Sequence, residues 1–187
     1  MDAAMSQPIV LLMRMLFDLV IIFLLMRFSL QLARADFFNP VSQSIVQLTN
    51  PLLAPLRRFI PPIGGQDTAA LVLAYVFALV FLVVAYSVAG GFPNPLILLL
   101  LAPLHLLEII LDMLFWGVIL HAILSWFPNA QGAPAARVLN QLITPLLAPI
   151  RRMIPDLGGI DLSPIALLLL LQVLKISIVP ILVNLLV

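Results

Sequence analysis

Four long apolar runs divide the chain, and a more polar stretch separates the runs of each pair. The runs cover about residues 8–32, 69–89, 103–126 and 164–186. Because roughly 20 apolar residues in a helix cross the ~30 Å hydrocarbon core of a bilayer, each run is long enough to span it. We therefore predict an all-α membrane protein with four transmembrane helices.

Between the spans of each pair, the polar stretch has a pattern of its own. In residues 41–60 the apolar side chains recur at helical spacing, which predicts an amphipathic helix. Residues 136–154 repeat this pattern in the second half of the chain. We expect both segments to lie in the membrane interface or to re-enter the bilayer partway. Since proline lacks a backbone N–H, Pro51 and Pro55 should prevent a continuous helix, and we expect a short helix before Pro51 and a second piece from there to Ile60. Pro145 and Pro149 repeat this design in the second half.

The chain contains an internal repeat. Residues 51–67 read PLLAPLRRFIPPIGGQD, residues 145–161 read PLLAPIRRMIPDLGGID, and 12 of these 17 positions are identical at a shift of 94. The same shift superposes the apolar runs, so each repeat consists of a span (helix A), a segment with an Arg-Arg pair (the RR loop) and a second span (helix B). We predict a first repeat over residues 1–89 and a second over residues 102–187. An even number of spans makes the two repeats parallel, related by an axis along the membrane normal.

The predicted linker between the repeats, residues 90–101, begins with the turn-forming sequence GGFPNP. The apolar residues 96–102 that follow permit two arrangements. They either extend the third transmembrane helix or form part of a fifth membrane segment, and both alternatives remain open at this point.

The composition excludes a water-soluble domain. Hydrophobic residues make up 64% of the chain and charged residues only 9%, whereas soluble domains carry about 25% charged residues. The chain has no cysteine, which excludes disulfides and thiolate chemistry. The N-terminus contains Asp2 but no basic residue before the first apolar run, so we expect that run to remain as a transmembrane helix and not to be a cleaved signal.

Positive charges concentrate in the two RR loops. Six of the nine Lys and Arg residues lie between helix A and helix B of a repeat. Because positively charged loops remain in the cytoplasm, we predict a multi-pass protein of the bacterial inner membrane, with both RR loops cytoplasmic and both termini periplasmic. The six residues are Arg34, Arg57, Arg58, Arg137, Arg151 and Arg152.

The Arg pairs have two interpretations. In the first, Arg57-Arg58 and Arg151-Arg152 hold the anionic headgroups of the lipid bilayer, to which each cation contributes about 1 kcal/mol. In the second, they dock a membrane-protein partner or a second copy of the chain. The second interpretation stays open because both repeats contain the same PLLAP and GG-x-D sequences around the Arg pair. Membrane topology requires only the positive charges and not these flanking sequences. No direct nucleic-acid binding is expected.

Charged residues inside the predicted spans form a second candidate site, because charges in a bilayer are costly and normally face protein or water. At a shift of 94, Arg14 superposes on Glu108 and Asp18 on Asp112. If the two A helices meet near the pseudo-twofold axis, Arg14 faces Glu108. Asp18 and Asp112 then lie one turn further on, where close carboxylates share a proton or hold a cation. We predict a structural charge cluster that clamps the two repeats together.

Two other roles for these residues stay open. Asp18, Glu108 and Asp112 suit a proton or cation path through the membrane. His105 shares a helix face with Glu108 and Asp112, an arrangement that suits a metal ion, although we predict no metal site.

The remaining polar residues of the spans give no sign of catalysis. Arg27 and His121 occupy equivalent positions near the cytoplasmic end of helix A, and we expect both to snorkel to the interface. His105 and His121 lie about 24 Å apart along one helix, so they cannot be the two axial ligands of one haem. The sequence has no serine, histidine and carboxylate placed for nucleophilic catalysis and no phosphate-binding glycine loop. We predict neither an enzyme nor a cofactor.

The two RR blocks, with ADFFNP at residues 35–40 and ILSW at residues 123–126, resemble the YggT family in its two-repeat proteobacterial form over nearly the whole chain. The resemblance implies an integral membrane protein linked to osmotic or extracytoplasmic stress. YlmG relatives are linked to cell division or nucleoid distribution, and a plastid relative to cytochrome b6 haem maturation. No catalytic residue carries over. The matching motif positions are Arg57, Arg58, Pro61, Gly64, Gly65 and Asp67, then Arg151, Arg152, Pro155, Gly158, Gly159 and Asp161.

The leading hypothesis is a non-enzymatic scaffold or assembly factor that acts in envelope, division or osmotic-stress physiology through its RR loops. The alternative is an ion channel or transport modulator that uses the intramembrane carboxylates. A third hypothesis is a maturation factor for a membrane cofactor protein.

Overall fold

The computed structural model describes residues 3–88, 90–91, 94–153, 161–178 and 180–182. Within these ranges the fold is built from α-helices joined by short turns. A 3-10 turn follows the second helix and another precedes the fifth, and a π-helical turn extends the sixth. The helices are α1 (Ala3–Leu32), α2 (Pro40–Leu53), α3 (Thr68–Val88), α4 (Pro95–Ser125), α5 (Pro134–Met153) and α6 (Ser163–Val173).

The four predicted spans are confirmed. Among the described residues, four helical segments are long and apolar enough to cross a membrane: Gln7–Leu32, Thr68–Val88, Pro95–Ser125 and Ser163–Leu182. Residues 96–102 belong to α4, because the side chain of Asn94 caps the helix by accepting a hydrogen bond from the backbone N–H of Leu96 at 3.0 Å. The apolar stretch after the linker therefore extends the third span.

The helix breaks predicted at the prolines are wrong. α2 runs through Pro51, and α5 runs through both Pro145 and Pro149. All three prolines lie on the exposed side of their helix. The carbonyl groups that lose a hydrogen-bond partner there face outward, where water or headgroups bind them. In the first repeat α2 ends before Pro55, and a short 3-10 turn covers Leu56–Arg58.

Small residues bring the spans of the first repeat together. Ala70, Ala74 and Ala78 form a fully buried row along α3, against which Ile21 and Leu24 of α1 pack. Side chains of this size allow two helix backbones to approach closely, which is how helices associate where lipid removes the hydrophobic driving force. α3 also packs on α4, and α4 in turn on α6, so the spans form one continuous bundle.

The amphipathic helices α2 and α5 meet at one end of this bundle. The Asn39 side-chain amide donates a hydrogen bond to the backbone carbonyl of Pro134 at 2.9 Å, and the backbone N–H of Asp36 donates to the Gln141 side chain at 3.1 Å. Ile45 of α2 and Val138 of α5 lie in one small buried cluster. The two RR loops therefore lie on the same side of the molecule, as parallel repeats require.

Candidate functional site

A buried ion pair anchors the first RR loop. The Arg27 side chain of α1 is 6% exposed and the Asp67 side chain 7%, and Nε of Arg27 lies 3.0 Å from Oδ2 of Asp67. The guanidinium also donates to the Thr49 hydroxyl at 2.6 Å, the Asn50 side-chain oxygen at 3.1 Å and the Val46 carbonyl at 3.2 Å. A buried charge is tolerated only with partners of this kind.

A second arginine binds the same carboxylate. Arg57, the first residue of the RR pair, donates to both carboxylate oxygens of Asp67 and, at 3.3 Å, to Asn50. The backbone N–H of Asp67 donates to the Gln31 side chain of α1 at 2.7 Å. Two guanidinium groups and one carboxylate thus join α1, α2 and the RR loop, and the group has a net charge of +1.

The glycine pair makes this arrangement possible. Gly64 and Gly65 have φ angles of 61° and 77°, a left-handed conformation that side chains disfavour. The turn brings Ile63 and Gln66 into reciprocal backbone hydrogen bonds of 3.2 and 3.0 Å. The chain thereby turns back, and Asp67 comes to lie beside Arg57. The Thr68 hydroxyl then fixes the start of α3 by donating to the carbonyl of Pro61 at 2.9 Å.

The second arginine of each pair points away from these contacts. Arg58 and Arg152 are both exposed, and neither forms an ion pair with any residue that the structure describes. A large apolar side chain follows each of them at equivalent positions. Phe59 is 85% exposed and Met153 is 83% exposed. Each RR loop therefore presents one cation beside one apolar side chain.

The second repeat keeps the carboxylate but loses one of its cations. Nε and a terminal guanidinium nitrogen of Arg151 both lie 2.9 Å from Oδ2 of Asp161, with side chains 43% and 40% exposed. His121 stands at the position of Arg27, and its Nδ1 is buried without a hydrogen-bond partner among the described residues. The motif residues Pro155, Gly158 and Gly159 lie outside the described residues.

The pKa of Asp161 lies below its ordinary value. Burial acts to raise this pKa, but the hydrogen bonds from Ser163 and from Arg151 outweigh it by stabilising the ionised carboxylate. One of these bonds runs from the backbone N–H of Ser163 to Oδ1 of Asp161 at 2.9 Å. Asp161 therefore also caps the start of α6, since it satisfies a backbone donor of the first turn.

The snorkelling role expected for Arg27 is wrong. Its guanidinium turns into the protein because Asp67, which lies 40 residues further along the chain, returns beside it through the RR loop. Sequence patterns report neighbours on one helix, whereas this pair depends on how α1, α2 and α3 assemble. The sequence does contain one indication of this pair. Arg27 is a cation inside an apolar span, and the motif ends in a carboxylate, Asp67, for which the pattern gives no other partner.

The charged residues of the spans form a second cluster, which joins α1 to α4. The Arg14 guanidinium lies 3.4 Å from Glu108 and 3.3 Å from Asp18. Nε2 of His105 lies 2.8 Å from Oδ1 of Asp18, and Nδ1 of His105 lies 3.9 Å from Glu108. The His105 ring also stacks on Phe81 of α3, with ring centroids 5.2 Å apart. The structure thus places Arg14 opposite Glu108, where the repeat predicted it.

The two aspartates of this cluster have different partners. Asp18 binds His105, whereas Asp112 forms an ion pair with Lys175 in the π-helical turn after α6. The expected pairing of Asp18 with Asp112 is therefore replaced by two separate contacts, because His105 and Lys175 each approach from a neighbouring element. Across the described part of the chain, no three histidine, aspartate or glutamate side chains converge as a metal site requires.

Comparisons with known proteins match this two-repeat fold. A family model described as CCB3/YggT matches the chain twice, over residues 6–88 and 100–182. A Vibrio alginolyticus protein named "Uncharacterized protein in proC 3'region" is 43% identical over 159 residues, which cover 84% of this chain and 85% of that protein. "Uncharacterized protein YggT" of Escherichia coli strain K12 is 40% identical over 165 residues, 88% of this chain and 86% of its own.

No solved structure matches the chain. Neither the family description nor the names of these relatives indicates an enzymatic activity. Two consecutive matches to one family model cover most of the chain, and each contains one helix A, one RR loop and one helix B. This chain therefore belongs to the CCB3/YggT family.

Proposed function

We propose that this protein is a non-enzymatic scaffold or assembly factor of the bacterial inner membrane. In this proposal its two RR loops dock a membrane-protein partner on the cytoplasmic side. The physiological setting that the family resemblance implies is envelope maintenance or the response to osmotic stress.

One observation carries the proposal: each RR loop uses its first arginine internally and presents its second. Arg57 and Arg151 bind the motif carboxylates Asp67 and Asp161. Arg58 and Arg152 remain exposed, each beside a large exposed apolar side chain. The display of a cation next to an apolar group at two equivalent places suits recognition, since arginine and large apolar side chains are enriched where proteins bind each other.

The orientation in the membrane follows from the distribution of charge. Arg34, Arg58, Arg137 and Arg152 lie at the end of the bundle where α2 and α5 meet, and positively charged ends remain in the cytoplasm. The described part of the opposite end contains no lysine or arginine outside the spans. This supports cytoplasmic RR loops and periplasmic termini.

The intramembrane cluster supports a structural role over ion conduction. Asp18, Glu108 and Asp112 each contact a basic side chain, so none of these carboxylates is left as an open cation site. Ion paths normally keep such groups accessible to water and to the ion. Arg14 is nevertheless 44% exposed at its side chain. A charge exposed on the side of a span favours a neighbouring protein over lipid, which agrees with a membrane-protein partner.

Crosslinking in native membranes followed by mass spectrometry tests the docking role. The test variant is Arg58→Ala/Arg152→Ala, and the matched control is Arg34→Ala/Arg137→Ala, which removes the same charge from the same end of the bundle. We expect the test variant to lose a defined crosslinked partner and the control to keep it. If the RR loops only hold lipid headgroups, both variants behave alike because they differ equally from the parent in charge. That result would refute docking.

A further inference from the structure

The space that Arg27 fills in the first repeat is open in the second. At a shift of 94, the residues equivalent to Arg27, Val46 and Asn50 are His121, Asn140 and Thr144. These three residues line a cavity of about 240 Å³ between α4 and α5. In the first repeat the equivalent place holds a guanidinium with hydrogen bonds to Val46 and Asn50. The second repeat thus retains a pocket from which the cation is missing.

The walls of this cavity are rich in hydrogen-bond acceptors. Nδ1 of His121 is buried and has no partner among the described residues, and side-chain oxygens come from Ser125, Gln131, Asn140 and Thr144. The Ser125 hydroxyl donates its proton to the carbonyl of Ala122 at 2.6 Å, which leaves its oxygen lone pairs for a ligand. Such a set suits a ligand with several N–H donors on one centre.

The ion groups of the two repeats differ by one positive charge. Asp67 binds two guanidinium groups, whereas Asp161 binds one. One added monocation gives the second repeat the charge that Arg27, Arg57 and Asp67 have in the first.

The position of the cavity identifies the source of that cation. The cavity lies at the end of α4, followed directly by the exposed aromatic side chains of Trp126 and Phe127. Aromatic side chains of this kind mark the level of the lipid headgroups in membrane proteins. A volume of about 240 Å³ is below the usual range of about 300–1,000 Å³ for drug-sized ligands, so it suits a headgroup.

We propose that the cavity between α4 and α5 binds the primary ammonium group of an ethanolamine phospholipid. The ammonium occupies the place of the Arg27 guanidinium and donates hydrogen bonds to Nδ1 of His121 and to the side-chain oxygens of Asn140 and Thr144. A choline headgroup has the same charge but no N–H, so the cavity discriminates against it. This site is separate from the docking role of Arg58 and Arg152, because neither residue lines the cavity.

Native mass spectrometry of the purified full chain tests the proposal with two lipids of identical acyl chains, phosphatidylethanolamine and phosphatidylcholine. We expect phosphatidylethanolamine to be retained roughly tenfold more, as one or two additional hydrogen bonds imply. His121→Arg fills the cavity with the missing guanidinium, so this variant should retain both lipids equally. Thr144→Val removes one acceptor at constant volume and should lower the preference without affecting folding.

Three results would overturn the proposal. Equal retention of both lipids by the parent chain excludes ammonium recognition. An undiminished preference in His121→Arg, with the variant folded as judged by its thermal unfolding, places the lipid elsewhere. Competition by methylguanidinium without any preference between the lipids would also reject the headgroup, and would point to an arginine side chain of a protein as the occupant.

Discussion

The two repeats carry the same motif, but different sets of side chains bind its carboxylate. In the first, Asp67 is buried between Arg27 and Arg57, and each of these three charged groups has a partner of opposite charge. In the second, Asp161 is 40% exposed, its ion pair among the described residues is with Arg151 alone, and a cavity lies beside His121. Duplication therefore produced one closed and one open version of a single site. The first repeat is closed at this place, whereas the second keeps a cavity among the residues that the structure describes.

The strongest test of this comparison removes the carboxylate charge in each repeat. We expect Asp67→Asn to lower the free energy of unfolding by about 3–5 kcal/mol, because two arginines then lose their counter-charge in a buried place. Asp161→Asn should cost less than about 1 kcal/mol, since its ion pair is exposed to solvent. Unfolding in detergent with increasing denaturant measures both. Equal losses would show that the repeats are energetically alike.

A second test exchanges the residues that stand at equivalent positions in the two repeats. Arg27→His should destabilise the protein by about 2–3 kcal/mol, because Asp67 loses a charged hydrogen-bond donor and Thr49 and Asn50 lose theirs. His121→Arg should be neutral or slightly stabilising, since the new guanidinium enters a cavity lined by the polar side chains of Asn140 and Thr144. Thermal unfolding of both variants measures these changes in stability. A destabilised His121→Arg would mean that the cavity is not an empty arginine site.

The cluster between α1 and α4 can be tested by charge reversal. Arg14→Glu or Glu108→Arg alone should lower the amount of protein in the membrane, because each places like charges together in a span, where a charge costs about 2.5–3.5 kcal/mol. The double variant restores the pair and should recover most of the lost protein, as quantitative immunoblots of membranes would show. A double variant as depleted as the singles would exclude the pairing as a clamp between the repeats.

We expect pH to change the stability of the protein only slightly through Asp161. Because the pKa of Asp161 is lowered in the folded protein, its ion pair stabilises the fold above the ordinary value of 3.8 and loses this effect as the pH falls through the folded pKa. The side chain is partly exposed, so the contribution stays below about 1 kcal/mol. Unfolding of the parent and of Asp161→Asn should therefore differ slightly at neutral pH and converge in acid. A difference that grows in acid would have the wrong sign.

The repeats and spans followed from the sequence because they depend on local patterns. Apolar runs, the duplicated motif and the shift of 94 located the four spans and set Arg14 opposite Glu108. The contacts of Arg27 and Lys175 did not follow, because each pairs with a carboxylate on another element, brought close only by packing. The helix breaks predicted from the prolines of α2 and α5 were wrong. Each proline lies on the exposed side of its helix, and this position removes most of the free-energy cost that proline has in a helix.

The contact between α2 and α5 has a mechanical consequence. Hydrogen bonds from Asn39 to Pro134 and from Asp36 to Gln141 tie the surface helices of the two repeats together. These contacts limit how far the displayed pairs Arg58-Phe59 and Arg152-Met153, at the other ends of the same helical segments, can move relative to each other. A ligand that engages one pair experiences a high effective concentration of the other, but only if its own two contact points match that span. If the RR loops dock a partner as proposed, recognition therefore depends on distance as well as on charge.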